Sequence, residues 1–121
     1  GQYNLACMYF IGEGTLVDKK QAFYWMKKSA EQGNAEAQNK LGYMYFDGEG
    51  TLVDKKQAFY WYKKSAEQEF SLAQYNLGTL YYYGQGISVD KTKSAYWIKK
   101  AYENGDEDAR EFWETNELWK Y

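Results

Sequence analysis

Two apolar patterns alternate along this chain, and both have the period of a helix. In the segments QYNLACMYFI, QNKLGYMYFD and QYNLGTLYYY (residues 2–11, 38–47 and 74–83), apolar residues recur three and four apart. Leu41, Met44 and Tyr45 form one stripe with Ala37 a turn earlier; Leu5, Met8 and Tyr9, then Leu77, Leu80 and Tyr81, repeat it. This is helix A. The second pattern, helix B, turns Ala22, Trp25, Met26, Ser29 and Ala30 inward, and Ala58, Trp61, Tyr62, Ser65 and Ala66 repeat the set. Lys20, Tyr24, Lys27 and Lys28 fall on the opposite face. Residues 12–32 return as 48–68 with one change, Met26 to Tyr62, and again more loosely from Gly84, at an offset of 36 residues each time. A fixed period of that size means stacked helix hairpins, each burying a face that it cannot bury alone.

The residues between the patterns predict how each helix starts and stops. Gly12, Gly48 and Gly84 are expected to end helix A in left-handed backbone, and Gly14, Gly50 and Gly86 to turn the loop. Asp18, Asp54 and Asp90 then cap helix B, with Gln21 and Gln57 completing a capping box that Lys93 breaks. Val17, Val53 and Val89 stand where a hydrophobic staple would pack. Gly33 and Gly105 close helix B; Glu69 holds that register in the middle block, where positive φ would strain it. Asn34, Ser71 and Asp106 are read as N-caps of the next helix A. Gly42 and Gly78, with Ala6 in the first block, predict close approach of a neighbouring helix. The links are a few residues long, so consecutive helices must be antiparallel neighbours in an all-α fold.

The expected organisation is one repeat domain over residues 1–121: repeats at 1–37, 38–73 and 74–109, then a capping helix at 110–121. In that tail Trp113 takes the leucine position, Phe112, Trp113 and Asn116 lie over the last hairpin, and Glu111, Glu114 and Glu117 face out. The first repeat opens in mid-helix, so further repeats or a pairing partner are expected at that end; oligomeric state is not legible.

Composition narrows the chemistry. A net charge of −2 argues against nucleic acid as partner, and no apolar run reaches the roughly 18 residues of a membrane span, so no membrane insertion is expected. There is no histidine, which removes Ser–His and Cys–His nucleophiles and histidine metal sites. No metal or cofactor is expected. The single cysteine, Cys7, forms no intrachain disulfide and reads as a small half-buried thiol. The glycine loops lack the lysine and hydroxyl pattern of a phosphate loop and recur in every unit, so they read as turns. Lysines concentrate on helix B, from Lys19 to Lys100, as a solvated outer face. Asp106 and Asp108 sit at a helix start and read as capping rather than as a catalytic pair.

The pattern A-x-A-Q-x-x-L-G-x-M-Y-x-x-G-x-G at residues 35–50, followed by D-x-x-x-A-x-x-W-Y-x-K-x-A-E-Q at 54–68, resembles the Sel-1-like repeat, a relative of the tetratricopeptide repeat. A tetratricopeptide array would show a period near 34 residues and a proline in each unit; this chain has 36 and none. The resemblance implies a right-handed α-α superhelix acting as an adaptor for protein–protein interaction, in a periplasmic or secreted bacterial setting among others. The family's cysteine-rich branch, with its disulfides and β-lactamase associations, does not extend to a chain with one cysteine. A hydrolase is therefore the disfavoured alternative, and a structural spacer within a longer array is the other.

In repeats of this kind helix A lines the concave surface. Projected at 100° per residue, Tyr3, Cys7 and Phe10, then Asn39, Tyr43 and Phe46, then Tyr75, Thr79 and Tyr82 lie opposite the core stripe, flanked by Asn4, Lys40, Asp47, Asn76 and Tyr83. Lys40, Tyr43, Asp47, Tyr75, Asn76, Thr79 and Tyr83 are the expected partner-binding residues, because tyrosine and amide edges suit a peptide at low entropic cost. Phe10 and Phe46 are assigned instead to packing between adjacent helices A, and Tyr82 is left open between that packing and the exposed face.

Overall fold

The computed structural model describes residues 16–121. The first helix A, with Tyr3, Asn4, Cys7 and Phe10, and the turn at Gly12 and Gly14 lie outside the described residues, as do the side chains of Val17 and Asp18. Six helices follow one another without a strand among the described residues: α1 (Leu16–Glu31), α2 (Ala35–Asp47), α3 (Lys55–Ala66), α4 (Ser71–Tyr83), α5 (Lys91–Glu103) and α6 (Glu107–Thr115), then a 3-10 turn at Leu118–Lys120. α1, α3 and α5 are helices B; α2 and α4 are helices A, and α6 takes the next helix-A place. Each helix packs on its neighbours in sequence, which makes an all-α solenoid of stacked antiparallel hairpins.

The core is divided into three clusters, each shared between hairpins. Ala22, Met26 and Ala30 of α1 meet Leu41 and Met44 of α2, and Trp61 of the following α3 closes the cluster. Tyr62 of α3 packs with Leu77, Leu80 and Tyr81 of α4. Ile98 and Ala101 of α5 lie against Ala109 of α6 and Leu118 of the 3-10 turn, with Phe112 and Trp113 half-buried beside them.

The expected punctuation is largely present. Gly48 and Gly84 end helices A at φ 78° and 70°, and the Asp54 and Asp90 side chains accept from the amides of Gln57 and Lys93. Gly33 and Gly105 have positive φ, and so does Glu69, at 64°. The close approach at the helix-A glycines is real: a Cβ on Gly42 would sit 2.8 Å from the Tyr62 ring, and one on Gly78 would sit 2.6 Å from Ile98.

Five expectations change. Ser71 is not an N-cap: Phe70 holds that register, with no side-chain hydrogen bond, and Ser71 is the first residue of α4. The capping box does not close, because the Asp54 amide donates to the Tyr45 carbonyl at 2.8 Å and leaves Gln57 exposed; Asp90 does the same with Tyr81. Val53 and Val89 stay more than half exposed, their methyls lying over Gly48 and Gly84 of the preceding helix rather than holding a staple in the core. Asp18 stands inside α1, which begins at Leu16. The tail is not one helix: α6 ends at Thr115, and Glu117, at φ 51°, starts the 3-10 turn that buries Leu118.

Candidate functional site

The helix-A side of the stack is built from what the core stripe leaves over. Consecutive helices pack on one another, while next-but-one helices α2, α4 and α6 meet through side chains such as Asn39 with Asn76 and Tyr82 with Phe112, with a recess on each side of α4.

Between α2 and α4 a cavity of about 230 Å³ is lined by Tyr43, Phe46, Tyr62, Asn76, Thr79 and Leu80. Tyr43 is 40% exposed and stands at its mouth. Burial raises its phenol pKa, and the carboxylate of Asp47 beside it adds to the effect. Tyr62 reaches the same cavity from α3; it is 4% exposed, and burial pushes its phenol far above the ordinary value. The polar wall is held in place: Asn76 Nδ2 donates to Asn39 Oδ1 at 3.0 Å, and the Thr79 hydroxyl donates to the Asn76 carbonyl at 2.7 Å.

Between α4 and α6 a second cavity, about 360 Å³, is lined by Tyr75, Tyr83, Asp108, Glu111, Phe112, Thr115 and Asn116. Phe112 is its centre, with Tyr75, Tyr82 and Tyr83 edge-on to the ring at 6.0, 5.3 and 6.1 Å between centroids. Burial raises the Tyr75 phenol pKa first, and the charges of Asp108 and Asp106 raise it further.

Five of the seven expected binding residues thus fall into two recesses: Tyr43, Asn76 and Thr79 in one, Tyr75 and Tyr83 in the other. Lys40 and Asp47 line neither. Lys40 is half-buried with its ammonium 5.7 Å from the Tyr43 ring centre, and Asp47 is exposed. Asn39, placed on the open face by projection, is 8% exposed and serves as the anchor for Asn76. Phe46 and Tyr82 do pack between elements, each half-buried beneath a lysine ammonium at 4.8 Å, from Lys55 and Lys91. Those two lysines therefore belong to the helix-A side and not to the solvated outer face. Phe46 nonetheless also lines the first cavity.

Sequence reasoning missed Tyr62 and Leu80, counted only as core, and Asp108, Glu111, Phe112, Thr115 and Asn116, counted as cap. The signal was present in the register. Phe112, Thr115 and Asn116 lie 36 residues beyond Asn76, Thr79 and Leu80, so the second recess repeats the first. Asp106 does cap α6, accepting from the Ala109 amide at 2.9 Å; Asp108, two residues on, lines the recess instead.

Among the described residues no group of histidine, cysteine and acidic side chains could hold a metal, and no helix is long and apolar enough to cross a membrane.

Comparison with known proteins follows the same period. The model of the Sel1 repeat matches residues 1–34, 35–70 and 71–106. A comparison with curated proteins finds no match. Among solved structures, a protective antigen of uropathogenic Escherichia coli strains that displays an SLR fold is 42% identical, with a TM-score of 0.83 over 89% of this chain and 23% of that one. A Sel1 repeat protein from Oxalobacter formigenes is 34% identical, with a TM-score of 0.83 over 89% of this chain and 44% of that one. The chain thus spans less than half the length of either. Cysteine-rich protein B of Helicobacter pylori shares the fold at 22% identity, with a TM-score of 0.75 over 91% of this chain and 88% of that one.

Proposed function

The chain belongs to the Sel1 repeat family, and from that premise we propose that it is a non-enzymatic scaffold holding an extended segment of a partner protein along its helix-A face. Repeats of this family serve as protein-interaction scaffolds. The observation that carries the finer reading is the pair of recesses flanking α4, whose walls combine aromatic area with fixed amide and hydroxyl edges. Tyr43, Tyr75, Asn76, Thr79 and Tyr83 are the contact residues in this reading, with Lys40 and Asp47 at the rim. An extended chain suits two recesses on successive repeats, because alternate side chains of a strand reach alternate sites while the backbone uses the polar edges.

Photo-crosslinking tests this. A photoreactive phenylalanine at Tyr43 or Tyr75 is expected to capture the same protein from native lysate, whereas one at Tyr60, exposed on the outer face of α3, captures none of it. Combined Tyr43→Ala, Tyr75→Ala and Asn76→Ala substitution should abolish that binding while helicity is retained. Binding undiminished in the triple variant, or capture from Tyr60 alone, overturns the assignment of this face.

A further inference from the structure

The two recesses differ in charge, and the difference lies at equivalent positions. Where the first has Asn76, the second has Phe112; where the α4 register carries Leu72 and Tyr75, α6 carries Asp108 and Glu111. A cap that only shielded the end of the stack would need neither carboxylate inside a recess. Asp106 accepts the first-turn hydrogen bond and Asp108 shares that turn, where a carboxylate suits the helix dipole, but Glu111 lies beyond the first turn and has no such role. The lining of the second recess contains two carboxylates, three aromatic rings and no lysine or arginine. The exposed lysines of α1 and α3, Lys20, Lys27, Lys28, Lys56, Lys63 and Lys64, lie on the outer faces of the helices B. Lys40, Lys55 and Lys91 do stand on the helix-A side, over Tyr43, Phe46 and Tyr82, but they line neither recess, and the lining of this one is acidic and aromatic.

We propose that the α4–α6 recess takes the cationic side chain, arginine or lysine, of the partner segment. This rests on the proposed function, and it names the chemistry of the occupant. A guanidinium or ammonium entering here meets the rings of Tyr75, Tyr83 and Phe112 and the carboxylates of Asp108 and Glu111 together. Aromatic faces attract cations through the ring quadrupole, and the attraction strengthens as water is excluded. The carboxylates supply the charge-assisted hydrogen bonds, bidentate in the case of arginine. At about 360 Å³ the recess has room for a whole side chain. The α2–α4 recess, lined by no charged side chain, takes a neighbouring apolar or aromatic residue of the same segment.

The test uses three degenerate pools of fluorescein-labelled peptides, identical except that the central position is arginine, its neutral isostere citrulline, or glutamate. Fluorescence anisotropy with the whole chain should show the arginine pool binding about tenfold more tightly than the citrulline pool, and the glutamate pool more weakly still. Added salt should erode the difference. In an Asp108→Asn, Glu111→Gln variant, which changes only exposed side chains, arginine and citrulline pools should bind alike. If the pools bind the wild type equally, and binding is lost on Tyr43→Ala with Asn76→Ala, the cationic occupant is overturned and the helix-A scaffold stands. An arginine preference that survives Asp108→Asn, Glu111→Gln overturns the assignment to this recess. If no pool binds at all, both readings fail.

Discussion

Ser94 occupies the place in helix B that alanine fills in the other two repeats, at Ala22 and Ala58. It is fully buried, and its hydroxyl is the one buried side-chain polar atom among the described residues without a hydrogen-bond partner. A buried hydroxyl with no partner carries its full desolvation cost. Ser94→Ala should therefore raise stability by about 1 kcal/mol in urea titration, and an unchanged or lowered midpoint would show that the hydroxyl is satisfied after all. Glu69 gives the converse case in the backbone. It sits at φ 64°, in the register where Gly33 and Gly105 turn, and its carboxylate reaches the Lys100 ammonium at 3.3 Å in an exposed pair. Left-handed backbone costs a non-glycine residue about 1–2 kcal/mol, and an exposed ion pair returns little. Glu69→Gly is expected to gain about 1 kcal/mol net, read from the same titration; a loss of stability would mean that the ion pair outweighs the strain. Both anomalies were visible in the sequence as breaks in register. Which of them carried a cost was not, because that depends on burial and φ.

At the scale of elements, helix type, order and caps could be read from periodicity, because each repeat states them again. What could not be read is how one repeat grips the next. Gly50 was legible as a turn. The structure adds that a Cβ there would lie 2.2 Å from the Lys19 carbonyl of α1, and at Gly86 2.3 Å from the Lys55 carbonyl of α3. The loop of each repeat lies directly on the helix-B start of the repeat before. Beside this contact Lys19 meets Glu49 at 2.8 Å and Lys55 Nζ donates to Gln85 at 2.5 Å. Gly50→Ala should thus cost about 3 kcal/mol or more, through clash and positive φ together. Gly33→Ala, at φ 96° with nothing within 4 Å, should cost only about 1 kcal/mol. Equal losses in the two variants would remove the role of the Gly50 contact. A second grip comes from glutamines that the repeat motif contains and the sequence leaves unexplained. Gln74 is fully buried; its Nε2 donates to the Ala66 carbonyl at 3.2 Å, and its Oε1 accepts from Asn104 at 2.9 Å. Gln38 does the same with Ala30 and Gln68. Gln74→Leu leaves the Ala66 carbonyl with the Glu69 amide as its remaining donor and removes the bond to the exposed Asn104, so a loss of about 1 kcal/mol in chemical denaturation is expected.

Over the whole molecule, the site was half legible for one reason: a helical projection places residues on a face but says nothing of the neighbour opposite. It put Tyr43, Asn76 and Thr79 on the face where the first recess opens, yet it put Asn39 in the open and missed Tyr62, which reaches that recess from another helix. The same distribution of tyrosine makes the fold sensitive to alkali. Tyr45 and Tyr81 hold one register of the two described helices A, and Tyr62 plugs the gap beside Gly42; burial is the first cause raising the phenol pKa in all three. The unfolded chain loses these protons near pH 10. The folded chain keeps them to higher pH. Above about pH 10 the folded state therefore binds more protons than the unfolded one, and stability must fall as pH rises; below it the contribution is complete and flat. Lys19 and Lys100, raised by their hydrogen bonds to Glu49 and Glu69, act in the same direction but are exposed, and they add little. Thermal melts followed by helical ellipticity should thus hold a plateau up to about pH 10 and then drop, with phenolate absorbance of the buried rings appearing only as the helices melt. Tyr62→Phe keeps the ring that fills the Gly42 approach and removes the proton, so its alkaline slope should be shallower by up to about one proton. An identical slope in that variant would mean that Tyr62 ionises in the folded stack as readily as in the unfolded chain, through the recess it shares with Tyr43.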